Sequence, residues 1–389
     1  MKIHGVKLEN FMLFDKLDAE FSPNVNIICG ENSTGKTALI KLLYACATSC
    51  PEMAARRNFE KQLEVTERAK GFISLTHSDF GLCYLHLFRK LRDLFSLNNE
   101  EGIKYLSNLR TTNPARISLN FDGEESLRFS LTGDKRKITD NAVNDEFQVP
   151  NILFTEFDFA KIVYVPPKEM ISSTENFASL YEEYHISFDE TYYDLARLLD
   201  RPRKKALSPE MEKVAQNMEA LIGGKVRQKG KAFYLDMDGV GELRMSLVSE
   251  GYRKLATLLN LVSTGSLSDG AILFWDEPET NMNPRMVEPL VKAILALAGA
   301  GVQVFVTTHD YFVQQYFGLA AEYGERFQAG TGNLEYRFLS LNKARAADGA
   351  ETVTLESASR LEDLERNAVK EEFDAVYDRE QGLIYGDDA

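Results

Sequence analysis

The stretch Gly30-Glu31-Asn32-Ser33-Thr34-Gly35-Lys36-Thr37 decides how the rest of the chain is read. It fills the pattern G-x-x-x-x-G-K-[ST] at every position. A short apolar run, Asn24-Val-Asn-Ile-Ile-Cys29, precedes it and reads as a strand. An apolar-periodic segment from Thr37 to about Thr48 follows and reads as a helix. Strand, glycine-rich turn and helix together form the setting in which this pattern holds phosphate. The glycines let backbone N–H groups curl around phosphate oxygens. Lys36 brings charge to the β and γ phosphates, and Thr37 offers a hydroxyl to Mg²⁺.

Working outward, Ile272-Leu-Phe-Trp-Asp276-Glu277-Pro278 is a second apolar strand, ending in two acids. A buried parallel strand delivers its last residue to the carboxyl edge, where α/β folds place ligands. Asp276 there suits a Mg²⁺ shell. Glu277 suits a base that polarises an attacking water. Trp275 is expected on the opposite face, in the core beneath the nucleotide. A third apolar strand, Val302-Gln-Val-Phe-Val306, ends in Thr307-Thr308-His309-Asp310. His309 beside the strand of Asp276 is placed to hydrogen-bond a γ phosphate. A fourth stretch, Leu247-Val-Ser249-Glu250-Gly251-Tyr-Arg253-Lys254, opens a helix with Ser and Gly and a cation two residues on. Such a start suits an anion.

The β/α alternation of residues 271–306, with a helix expected from Pro284 to about Ala298 between its strands, predicts a mostly parallel sheet with helical cover. Residues 3–8 and 17–21 read as two short strands, and 116–121 with 126–131 as a hairpin. A further strand is expected at 161–165, and a second hairpin around 225–245. Residues 52–110 and 170–222 read as helical insertions. Ser208-Pro209 starts a helix that Gly223-Gly224 ends. Residues 346–389 read as an acid-rich helical segment after a larger phosphate-binding unit of 1–345. Its apolar residues Leu361, Leu364, Val369 and Phe373 suit either docking of a partner or folding back onto the head.

In their order, the phosphate loop, Ser249-Glu-Gly251, Asp276-Glu277-Pro278 and His309 resemble an ABC-type ATPase. The N-terminal strands and the closing Thr-Thr-His-Asp resemble the SMC/RecF/OLD branch of these proteins. More narrowly, the chain resembles compact bacterial "AAA family" proteins of anti-phage systems, often paired with a nuclease or other effector. The resemblance covers roughly residues 1–340. It implies an ABC-type P-loop head with an antiparallel β subdomain and helical insertions. It also implies a homodimer in which Ser249 and Gly251 bind the γ phosphate of ATP held by the other subunit's Gly30–Thr37 loop.

Several features depart from that pattern. Glu250 stands where transporter signatures carry a small residue. Met282-Asn283-Pro284 replaces the OLD-like Leu-His-Pro. No glutamine loop is assigned, and Tyr164-Val-Pro-Pro-Lys168 stands at its position. Heptads are missing from 38–248, and no TOPRIM nuclease pattern follows residue 310. Phe11 and Phe14 are read as core rather than as adenine contacts.

The chain has 389 residues, of which 44% are apolar and 27% charged, the profile of a globular protein. No apolar run long enough to span a bilayer and no signal pattern is evident, so the cytoplasm is the default location. The net charge of -14 argues against a uniformly basic nucleic-acid binder. Basic clusters at 201–205, 225–231 and 135–137 are read as solvated loops. Cys29, Cys46, Cys50 and Cys83 are read as buried thiols. Three functions remain open: an ATP switch that controls a separate effector, plausibly in phage defence; a RecF-like DNA repair ATPase; and a scaffold that holds ATP without turnover.

Overall fold

The computed structural model describes residues 2–60, 77–97, 100–108, 110–111, 113–122, 126–131, 161–184, 186–328, 333–345 and 349–385. The basic cluster at 135–137 and the turn at 123–125 lie outside these residues, as do the side chains of Cys50 and Cys83.

The chain opens with a hairpin of β1 (Ile3–Phe11) and β2 (Phe14–Glu20), then β3 (Val25–Gly30), α1 (Lys36–Glu60) and α2 (His77–Leu94). A 3-10 turn at Glu100–Leu106 leads to the predicted hairpin, β4 (Ala115–Phe121) and β5 (Ser126–Leu131). Next come β6 (Ile162–Val165), α3 (Phe177–Tyr184), α4 (Glu190–Leu199) and α5 (Pro209–Ile222). An antiparallel set of β7 (Gly224–Lys229), β8 (Ala232–Met237) and β9 (Gly241–Arg244) precedes α6 (Glu250–Ser263). The strand β10 (Ile272–Asp276), α7 (Val287–Gly299), β11 (Gln303–Thr308) and α8 (Tyr311–Tyr323) continue the alternation. The chain finishes with β12 (Tyr336–Arg345), β13 (Glu351–Ala358) and α9 (Ala368–Tyr385).

The central sheet runs β13-β12-β3-β11-β10-β6. Its pairings are parallel except at the β12–β13 edge. The strands β3, β10 and β11 are buried at every position, which fits a sheet covered on both faces. Alternation then sorts their side chains. Ile27, Val304, Leu273 and Trp275 join one core layer with α4–α8. Ile28, Phe305, Ile272 and Phe274 join the other with α1, α2 and the antiparallel sheet β2-β1-β4-β5. The buried Gln303 amide ties these sheets together. It accepts from Ile3 N at 2.8 Å and donates to the carbonyls of Ile3 and Ser22, both at 2.8 Å.

Local signals explain the elements best where caps act. Ser208 accepts from Met211 N at 3.4 Å, and Gly223 ends α5 in the left-handed conformation, at φ 68°. Four expectations need correction. The first helix runs past Thr48 to Glu60. The helix expected from Pro284 begins as a 3-10 turn, Pro284–Met286, because Asn283 caps that turn through Arg285 N. The second hairpin is three-stranded, since Gly239 and Gly241 permit one more reversal after β8. Residues 351–358, expected helical, form a strand that pairs along its whole length with Phe338–Arg345 of β12. Its acids, Glu351 and Glu356, fall on opposite faces of the strand, so no polar–apolar alternation marks it in the sequence. Phe11, Phe14, Cys29 and Cys46 are buried as expected.

Candidate functional site

Parallel register places the sequence motifs at one edge. Asp276 pairs with Thr307, and Thr308 with Cys29, so β3, β10 and β11 end side by side at Gly30, Asp276 and Thr308. The loop after β3 is tightly seated. A Cβ on Gly30 would stand 2.4 Å from the Leu341 carbonyl oxygen, and one on Gly35 2.8 Å from Phe14 Cζ. Both glycines have positive φ, 147° and 89°, and Ser33 between them has φ 65°. Only glycine meets both demands at 30 and 35. Thr34 Oγ1 donates to the Glu31 carbonyl at 2.9 Å. The Lys36 ammonium donates to the carbonyls of Gly30 and Glu31, both at 2.8 Å. Burial lowers its pKa, opposed by the nearby charges of Glu277 and Asp276. Glu31, Asn32 and Ser33 are exposed on the loop, and Lys343 Nζ pairs with Glu31 Oε2 at 3.1 Å.

Asp276 is the hub of the edge. Its Oδ1 accepts from Thr37 Oγ1 at 3.0 Å and from Thr307 Oγ1 at 2.5 Å, and its Oδ2 from Tyr164 OH at 3.2 Å. Burial pushes its carboxyl upward, and these hydroxyls pull it back. Two oxygen ligands at right angles on Mg²⁺, each at about 2.1 Å, stand about 3.0 Å apart. The Thr37–Asp276 spacing matches that value, so these hard oxygen donors fit the cation.

Glu277 follows with φ 45°, a conformation that costs a non-glycine residue about 1–2 kcal/mol. Its N–H is held by Thr307, through the carbonyl and Oγ1, both at 3.1 Å. The side chain meets His309 Nδ1 at 3.0 Å. Glu279, which the sequence reading missed, supports the same histidine. Its Oε1 accepts from Thr308 Oγ1 at 2.6 Å and His309 N at 3.3 Å, while the buried Oε2 has no partner among the described residues. Burial raises the Glu279 carboxyl.

Ser249 and Gly251 lie elsewhere. Ser249 is the exposed N-cap of α6, and its hydroxyl makes no cap hydrogen bond. A Cβ on Gly251 would stand 3.3 Å from Met286 Cγ, so this glycine also serves packing. Arg253 is not free to meet an anion. It donates to Glu169 Oε1 at 2.5 Å and Ser172 Oγ at 3.1 Å, in the segment after β6. Lys254, one residue on, is buried. It donates to the carbonyls of Pro278 at 2.9 Å and Thr280 at 2.5 Å, and burial lowers it to about 8. No hydrogen bond or ion pair among the described residues joins Ser249 or Gly251 to the loop at 30–37.

A cleft of about 400 Å³ opens at the phosphate loop, within the usual range for small-molecule sites. Residues 32–38 and Glu277 line part of it; Met12, Leu13, Lys41, Leu94, Phe95 and Ser96 line the rest. Among the described residues, no helix is long and apolar enough to cross a membrane.

Comparison with known proteins places this site in context. "DNA replication and repair protein RecF" of Halalkalibacterium halodurans is 43% identical over 56 residues, 14% of this chain and 15% of that protein. The protein of the same name from Staphylococcus aureus (strain bovine RF122 / ET3-1) is 22% identical over 227 residues, 56% of this chain and 60% of that one. The chain therefore spans less than two thirds of these relatives. The solved "SMC head domain from Thermotoga maritima" superposes with a TM-score of 0.42 at 14% identity, covering 92% of this chain and 100% of that one. The family model described as "AAA domain, putative AbiEii toxin, Type IV TA system" matches residues 25–313, which span all the motifs above, and the chain belongs to that family of P-loop ATPase domains.

Proposed function

We propose that the chain binds ATP with Mg²⁺, hydrolyses it, and uses the bound triphosphate to close a homodimer that controls a separate effector protein. The observation that carries this reading is the union of Thr37, Asp276, Glu277 and His309 at one sheet edge, where Thr37 bonds Asp276 and His309 bonds Glu277. Backbone N–H groups of residues 31–36 and the Lys36 ammonium hold the phosphates. Thr37 and Asp276 hold Mg²⁺, which when bound neutralises phosphate charge. Glu277 accepts the proton of a water aimed at the γ phosphate. His309 positions Glu277 and reaches toward the same phosphate. Ser249 and the N–H groups that open α6 contribute to the partner subunit's site, since they stand away from their own loop. Two such composite sites share one two-fold axis.

The test is Glu277→Gln. It should bind ATP like the wild type and turn over about 10²–10⁴-fold more slowly, the usual worth of a general base. It should also accumulate dimer in light scattering with ATP-Mg²⁺. Equal turnover in the two proteins would sink the assignment.

The RecF matches favour one alternative, an ATPase acting in DNA repair. Turnover that rises with added duplex DNA, and fails to rise with an effector, would favour that alternative. Control of a separate effector, as in phage defence, predicts the reverse.

A further inference from the structure

We infer that the apolar part of the cleft, formed by Met12, Leu13, Leu94 and Phe95, is a nucleobase subsite, and that Phe95 stacks on the base of the bound nucleoside triphosphate. This deepens the nucleotide reading above and rests on it.

The loop at 30–37 provides for a triphosphate, a wholly polar group. The same cleft continues past the loop onto apolar side chains that water serves poorly. Leu13 is 41% exposed there, and Phe95 is half-buried. A flat, weakly polar group joined to a triphosphate covers such surface. The aromatic residues of the first hairpin do not serve this purpose. Phe11 and Phe14 are fully buried, and Phe14 packs under Gly35 instead. Phe95 is the aromatic side chain among the residues lining the cleft.

Its placement is fixed in advance. Phe95 N donates to Leu91 O at 3.0 Å, and Ser96, at φ 52°, turns the chain out of α2. Lys41 lies one turn into α1, directly behind the phosphate loop. Its ammonium donates to the Leu94 carbonyl at 3.0 Å and to Asp189 Oδ2 at 2.8 Å, and stands 6.0 Å from the Phe95 ring centroid. One side chain thus links the helix that follows the phosphates to the residue that meets the base. The Met12–Leu13 side is held as well. Met12, at φ 50°, donates its N–H to Leu106 O at 3.0 Å, and the Leu13 carbonyl accepts from Thr352 Oγ1 at 3.4 Å. A stacking surface that needs no rearrangement loses little entropy on binding. Because α2 belongs to the helical insertion, the insertion contributes a wall of the nucleotide site.

Calorimetry on the full chain with Mg²⁺ compares ATP with inorganic tripolyphosphate, which lacks base and ribose. Phe95→Ala should weaken ATP binding about 5- to 150-fold, the worth of one base–aromatic stack, and leave tripolyphosphate binding unchanged. Phe95→Trp should keep ATP affinity. Lys36→Ala should lose both ligands. Unchanged ATP affinity in Phe95→Ala would overturn the subsite while leaving the phosphate site standing. Equal losses for ATP and tripolyphosphate would overturn it too, by exposing general damage to the loop. A wild type that binds neither ligand would remove the nucleotide reading itself.

Discussion

Gly35→Ala probes the floor of the phosphate loop. The new Cβ would stand 2.8 Å from Phe14 Cζ and 3.1 Å from Cε2. Phe14 is completely buried, so its ring cannot swing into solvent. Overpacking of this kind costs about 1–3 kcal/mol. The left-handed backbone at position 35 adds about 1–2 kcal/mol for any L side chain. The sum, about 2–5 kcal/mol, is a large share of the roughly 5–15 kcal/mol that holds a domain folded. Phe14→Leu shortens the obstructing ring. In the Gly35→Ala background it should recover the overpacking part, although alone it removes core volume. A double-mutant cycle should therefore give a coupling of about 1–3 kcal/mol in the direction of rescue. Urea unfolding read by the emission of Trp275, the single tryptophan and a buried one, supplies the four stabilities. Gly30→Ala is the internal control. Its Cβ would meet the Leu341 carbonyl at 2.4 Å, and no side-chain truncation moves a backbone oxygen. An additive cycle at Gly35 and Phe14 would refute the reasoning.

Ser249→Arg should leave nucleotide binding by the monomer nearly unchanged and abolish the ATP-dependent gain in mass and turnover; wild-type turnover would reduce Ser249 to a helix cap. Burial lowers Lys254 from 10.5 to about 8, so this site holds fewer protons in the folded state than in the unfolded one between those values, and its own contribution to stability rises with pH across that window. Lys36 is shifted in the same direction. The buried Cys29 and Cys46 thiols are pushed up and work the other way above pH 8, so the sign is read from a difference: from pH 8 to about pH 9.5 the urea midpoint of the ligand-free wild type should gain on that of Lys254→Met, and a difference that moves the other way contradicts the sign. Truncation before residue 356 should give poorly folded protein, because it removes part of β13 together with the buried Leu361 and Leu364. Truncation after Asn367 should cost only about 0.5–1.5 kcal/mol, since α9 has no buried residue and its Phe373 stacks on Tyr311 at 4.0 Å. Thermal melts of the two truncations separate a folded-back segment from a free one.

The motifs legible in the sequence are those in which neighbouring residues carry one function. Gly30–Thr37, Asp276-Glu277 and His309 each follow an apolar run that could only be a buried strand, so their meeting follows from parallel register. The contacts that escaped notice join residues far apart in the chain. Tyr164 reaches Asp276 across 112 positions, and Lys254 reaches carbonyls, which leave no trace in side-chain identity. Glu279 resembled one more solvated acid after a strand. Phe95 belongs to an insertion whose helical period says nothing of what its last turn faces. Arg253 looks placed for an anion in the sequence because its carboxylate partner, Glu169, lies 84 residues earlier.

The Lys254 ammonium also constrains how the sequence can drift. It holds the turn after Glu277 through the carbonyls of residues 278 and 280, and every amino acid supplies a carbonyl. Position 280 is therefore free to vary as far as this contact is concerned, whereas position 254 must present a long cationic donor from inside a helix. Relatives that keep the same turn should preserve lysine at 254 amid changing partners. A relative that has lost it should show a compensating donor from another element, not a matched change in the turn.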